Sequence, residues 1–144
     1  MHETAVGARN GTVGMTHRAP WHTGGDTVEG EGSTPMIALD SLRLGRIDLI
    51  KIDVEGYEPE VLEGAAAIIK QHTPVFFFEI NLPELRRHGH APLARIERAL
   101  LGYSFYYNGR RFSALWKLCL KLEPKYFLFN KGSGIVFNVL AVKE

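Results

Sequence analysis

One cysteine, Cys119, stands in the 144 residues, which leaves no partner for an intramolecular disulfide and no thiolate cluster for zinc or an iron–sulfur centre. Long apolar runs are missing too. No window approaches the ~20 apolar residues that a membrane span requires, and the opening MHETAVGARNG has neither the basic flank nor the apolar run of a secretory leader. Nor is there an excess of charge of one sign: 17 Lys and Arg face 16 Asp and Glu, for a formal net charge of +1. Nucleic acid and anionic lipid therefore have no electrostatic footprint here, and small molecules become the expected partners. No internal repeat is evident. Together these absences describe a soluble, cytoplasmic protein. A chain of this length forms one domain that buries roughly 68–70% of the surface its unfolded form exposes.

Residues 1–34 are rich in Gly, Thr and His. Within them, residues 4–7 and 12–15 have strand character around an Arg9-Asn10-Gly11 turn signal, which predicts a short hairpin followed by a loop. The texture changes from Pro35, where an α/β core over residues 35–109 begins. Residues 47–54 are almost continuously apolar and predict a strand buried on both faces. A helix over 59–70 follows, with Pro59 in its first turn. Residues 75–80, Val-Phe-Phe-Phe-Glu-Ile, predict a second central strand. Strand, helix and strand in this order imply a right-handed βαβ unit with adjacent parallel strands. A helical face carrying Leu93, Ile96, Leu100 and Leu101 then leads into an aromatic strand over 103–107 with an Asn108-Gly109 turn. Residues 110–133 read as an insertion before a final strand beginning at Gly134. The strands flanking it are expected to pair as an antiparallel hairpin beside an otherwise parallel sheet.

Asp53 and Glu55 fall where a buried parallel strand ends, the place at which open α/β sheets bind their ligands. In an extended strand i and i+2 face the same way, so both carboxylates point toward one crevice, and Gly56 permits a close approach or a tight exit. Glu79, at the end of the neighbouring strand before Asn81, is a third carboxylate for the same crevice. The competing reading is structural, with Lys51, Arg43 or Arg46 pairing with Asp53 and Glu55. A further alternative is Mg²⁺ or Ca²⁺ held by the three carboxylates, although no ligand-spacing motif supports it. His88 and His90 read as loop residues, and Cys119, in an apolar stretch, as a core thiol. Trp116 with Lys117 and Lys121 is either a solvated face packed on the domain or a basic amphipathic element touching lipid.

The segment IDLIKIDVEGYEPEVLEGA, residues 47–65, resembles the signature of the FkbM family of methyltransferases. Leu39-Asp40-Ser41-Leu42 is similar to the family's lead-in, residues 74–80 to its next strand, and AVGARNGTV, residues 5–13, to the piece that follows its third strand. The resemblance implies an incomplete Rossmann-like class I methyltransferase sheet, mostly parallel, with the antiparallel C-terminal hairpin. It also implies S-adenosylmethionine as cofactor and a hydroxyl of a sugar or other small polyhydroxylated metabolite as methyl acceptor. In that reading Asp53 positions the acceptor or the methylsulfonium end of the cofactor, with Gly56 beside it. Glu55 binds acceptor hydroxyls or acts as general base, and Glu79 supports it.

The family's glycine-rich loop after the first strand and the acidic residue after the second have no counterpart. Neither Gly24-Gly25 nor Gly30-Glu31-Gly32 follows a buried strand and opens a helix as such a loop must. The expectation is therefore an N-terminally truncated domain with half a cofactor cradle, inactive alone and inclined to self-associate through an exposed sheet edge. The alternatives are a non-catalytic remnant or subunit, and a carboxylate-based metal- or sugar-binding module.

Overall fold

The computed structural model describes residues 4–16, 27–118 and 136–144. The hairpin expected near the N-terminus is replaced by a different pairing. Strands β1 (Ala5–Val6) and β2 (Gly11–Val13) do not pair with each other but flank β5 (Thr34–Ile37), β1 in parallel and β2 antiparallel. The Asn10 side chain, expected in the turn of a hairpin, instead accepts a hydrogen bond from the Ala38 N–H at 2.9 Å. Between β2 and β5, β3 (Met15–Thr16) and β4 (Thr27–Val28) form a small antiparallel ladder.

The main sheet has five strands. They are β6 (Leu49–Ile52), β7 (Val75–Asn81), β8 (Tyr103–Tyr107), β9 (Arg110–Phe112) and β10 (Val136–Lys143), in the order β6-β7-β10-β8-β9. β6 and β7 pair in parallel, Leu49 beside Val75 and Ile52 beside Phe78. The expectation of a mostly parallel sheet is corrected here, because this is the sheet's one parallel ladder among the described residues. β10 slots between β7 and β8 and runs against both, so β8 has only antiparallel neighbours. β8 and β10 do pair antiparallel, as the flanks of residues 110–133 were expected to. They do so inside the sheet, however, and Arg110–Phe112 of the supposed insertion supplies the edge strand through the Asn108-Gly109 turn, both residues at positive φ.

The helix expected over 59–70 is two: α1 (Glu58–Glu63) and α2 (Ala66–His72). Gly64 marks the break. A Cβ there would lie 2.0 Å from the Gly7 carbonyl, and the Gly64 carbonyl accepts from the Asp40 N–H at 2.8 Å. The Asp40 carboxylate in turn accepts from the Ala67 and Ile68 N–H groups at 2.8 and 3.0 Å. An acid from the distant 3₁₀ turn Leu39–Ser41 thus caps α2, a contribution of about 1 kcal/mol. Helices α3 (Leu82–Arg87) and α4 (Pro92–Ala99) follow, and residues 115–118 are helical as well. Arg95 of α4 grips α1 through both oxygens of Glu63 at 2.8 Å and through Glu60 at 2.6 Å.

Alternation along each strand sorts the core. Phe76, Phe78, Ile80, Val139, Ala141 and Phe105 point toward the helices and pack on Leu62, Ile69, Leu85, Ile96 and Leu100, with Leu115 and Leu118 also in the cluster. Leu101, expected on the apolar face of its helix, is exposed instead. The opposite face of the sheet is open among the described residues, with Leu49 61% and Phe77 37% exposed. This corrects the reading of residues 47–54 as an interior strand buried on both faces: β6 is an edge strand whose outward residues meet solvent. An apolar surface beside an unpaired edge favours association. Sedimentation across concentration is expected to show the chain self-associating and Leu49→Lys to weaken this; a strictly monomeric wild type at high concentration would contradict it.

Candidate active site

β6 ends at Ile52, and the backbone then turns within four residues. Tyr57 N–H donates to the Val54 carbonyl at 3.1 Å, and the two residues between, Glu55 and Gly56, both have positive φ, 47° and 93°. This is the φ pattern of a type I′ turn. The i, i+2 parity expected to align Asp53 with Glu55 therefore does not operate, because Glu55 is past the strand and left-handed. Gly56 serves both expected purposes. It takes a φ that side chains resist, and a Cβ there would meet the Glu84 backbone carbon at 2.5 Å, so α3 packs directly on the turn.

Asp53 is exposed and paired with Lys51 at 2.9 Å, while Arg46 pairs with Asp48 instead. Glu55 Oε2 accepts a long hydrogen bond from the Asn81 side chain, 3.5 Å. Asn81 also caps α3 by accepting from the Glu84 N–H. Glu79 lies one strand over and half-buried, and its carboxyl is held above the ordinary range by burial first, then by Asp53 and Glu55, with Lys51 opposing. The three expected carboxylates thus share one electrostatic neighbourhood at the C-terminal ends of the parallel pair. Among the described residues no group of three His, Cys, Asp or Glu side chains converges to hold a metal ion. His88 packs edge-on against Tyr57 with ring centroids 5.5 Å apart, and His90 is exposed. Trp116 is exposed beside Lys117, and Cys119 lies outside the described residues.

Sequence reading missed a fourth carboxylate. Glu58, the first residue of α1, is 1% exposed. Its Oε1 accepts from the Gly56 N–H at 3.3 Å, and its Oε2 is buried with no hydrogen-bond partner. Burial, reinforced by Glu55 and Glu79, raises its carboxyl from 4.5 to about 7, against the hydrogen bonds that favour ionisation. A signal was available: Glu58 heads the stripe Leu62, Ala65 and Ile69, one or two turns apart on the buried side of the two helices.

A side chain held left-handed carries strain of about 1–2 kcal/mol, a cost that gathers where function requires a fixed direction. Asn tolerates this conformation better than Glu. Glu55→Asn is therefore expected to raise stability by about 0.5–1 kcal/mol in urea denaturation while removing the longer carboxylate. Destabilisation by that substitution would mean that Glu55 is held by more than the turn.

Gly30-Glu31-Gly32 does not form a strand-to-helix loop among the described residues. Gly30 turns the chain between β4 and β5, and Gly32 packs against Gly14 so closely that a Cβ would lie 2.5 Å from its Cα. Neither glycine ends a parallel strand at a helix N-terminus, and Gly24-Gly25 lie outside the described residues.

Compared with known protein families, the chain matches the model of the methyltransferase FkbM domain over residues 4–107. No curated protein and no solved structure matches it.

Proposed function

Because the chain belongs to the FkbM methyltransferase family, we propose that its carboxylate turn serves the acceptor side of methyl transfer from S-adenosylmethionine to a hydroxyl of a small polyhydroxylated molecule. The observation that carries this is the left-handed Glu55-Gly56 turn, which sets Glu55 among Asp53, Glu58 and Glu79 at the end of the parallel pair. Carboxylates accept hydrogen bonds and donate none when ionised, so such a group suits a ligand rich in O–H donors. In this reading Glu55 accepts the hydrogen bond of the reacting hydroxyl and takes its proton as the oxygen becomes nucleophilic. Asp53 and Glu79 hold neighbouring hydroxyls. Glu58 fixes the turn through the Gly56 N–H. S-adenosylmethionine would supply the electrophilic methyl group in the family's chemistry.

A ¹³C-carboxyl NMR titration with and without inositol tests this assignment. A hydrogen bond to the ionised form favours that form, so inositol is expected to move the raised Glu79 titration to lower pH. A Glu79 midpoint that stays unchanged at saturating inositol would sink it.

A further inference from the structure

A cavity of about 390 Å³ opens beside the carboxylate turn, between the β3–β4 ladder and α3. Tyr57, the residue between Gly56 and Glu58, forms part of its wall. Its ring is braced edge-on by His88, and its hydroxyl lies 3.9 Å from the Met36 sulfur. Val13 and Val28 supply apolar wall from the N-terminal strands. Aromatic and aliphatic walls around a space at the small end of the ligand-site range suit one substituted ring or two small ones.

The polar lining sets the charge of the occupant. Glu29 accepts from the Thr16 hydroxyl at 3.0 Å, and Glu84, with its side chain 8% exposed, pairs with Arg87 at 3.3 Å. Two carboxylates thus stand against one guanidinium among the described lining residues, and that guanidinium is already engaged. Among the described lining residues the carboxylates exceed the guanidinium by one charge.

We propose that this cavity seats the ring of the methyl acceptor, a neutral or cationic polyhydroxylated molecule, and discriminates against phosphorylated or carboxylated forms of the same ring. This rests on the acceptor-side reading given above and adds where the ring lies and which charge it carries. The ring packs between Tyr57 and the valines, its hydroxyls donate to Glu84 and Glu29, and one hydroxyl projects toward the Glu55–Glu58 turn. Selection operates before any cofactor contact, by repulsion between the carboxylates and an anionic substituent.

The experiment is an amide chemical-shift titration of the ¹⁵N-labelled chain with methyl α-glucoside, glucosamine and glucose 6-phosphate, in the absence of cofactor. The first two are expected to perturb Tyr57, Glu84 and His88, and the phosphate to bind at least about tenfold more weakly, a difference of about 1.4 kcal/mol. Glu84→Gln should narrow that gap. Val28→Phe, which fills the cavity from the strand side, should abolish all three responses while the spectrum stays dispersed. Equal or tighter binding of the phosphate, perturbations that map elsewhere, or no response to any of the three overturns the proposal. Since no methyl donor is present, such a failure is separate from a failure of the family's chemistry, which the carboxyl titration and a cofactor titration address.

Discussion

Glu58→Gln is expected to make the protein more stable at pH 8 by about 2–3 kcal/mol and to leave it nearly unchanged at pH 4. The native carboxyl is raised from 4.5 to about 7. A carboxyl whose pKa is raised on folding favours the folded state only while it holds its proton, so its contribution is fully present below 4.5. It is lost as pH climbs through 7, and a rise of that size amounts to about 3 kcal/mol. Above pH 7 the wild type must either bury a charge whose Oε2 has no partner or open the turn. Glutamine keeps an oxygen for the Gly56 N–H and is neutral throughout. Glu63 is shifted the other way, downward, chiefly by its hydrogen bonds from Arg95, so its contribution is present above its ordinary value of 4.5, is lost only as pH falls below that, and does not cancel the trend between pH 5 and 8. Urea midpoints measured at both pH values for the two proteins decide the matter. Parallel pH dependence in wild type and variant would mean that Glu58 is solvated in solution.

How far the sequence disclosed this site depends on which physical signal each residue carries. The aromatic run at Val75–Asn81 and the helix-forming stretch before it were legible because burial imposes a period, and the parallel β6–β7 pair followed from the short crossover. The same apolar run misled at β6. Hydrophobicity shows that residues 49–52 suit a sheet, but whether a second layer covers their outer face depends on residues far away in sequence. The N-terminal turn signal around Asn10 was read locally, yet β5, some 25 residues on, competes for both strands and wins by bonding each. Gly64 reads in sequence as a tolerable helix glycine, and only the packed structure reveals the Gly7 carbonyl in its way. Asp53, Glu55, Gly56 and Glu79 were singled out by their position at strand ends. Glu58 was passed over because an acid in a first helical turn is ordinary on dipole grounds alone. The signal that could have found it was its place at the head of the apolar stripe Leu62, Ala65 and Ile69.

The second large effect concerns the cofactor. Binding S-adenosylmethionine tightly requires donors for its carboxylate and acceptors for its ribose hydroxyls, and each unmade hydrogen bond forfeits ~0.5–1.5 kcal/mol, more where a desolvated group is left unpaired. Several together weaken affinity by orders of magnitude. The described residues offer the acid turn and a ring-sized cavity beside it, but no glycine-rich turn between a parallel strand and a helix and no acid placed for a ribose. Residues 1–144 are therefore expected to hold an acceptor without holding the methyl donor, the division of labour on which the proposed function rests. Calorimetric titration of this chain with S-adenosylmethionine tests that claim most directly. The account predicts no heat of binding at micromolar concentrations, whereas tight binding that Asp53→Ala abolishes would show the carboxylate turn to be a self-sufficient cofactor site and would contradict it.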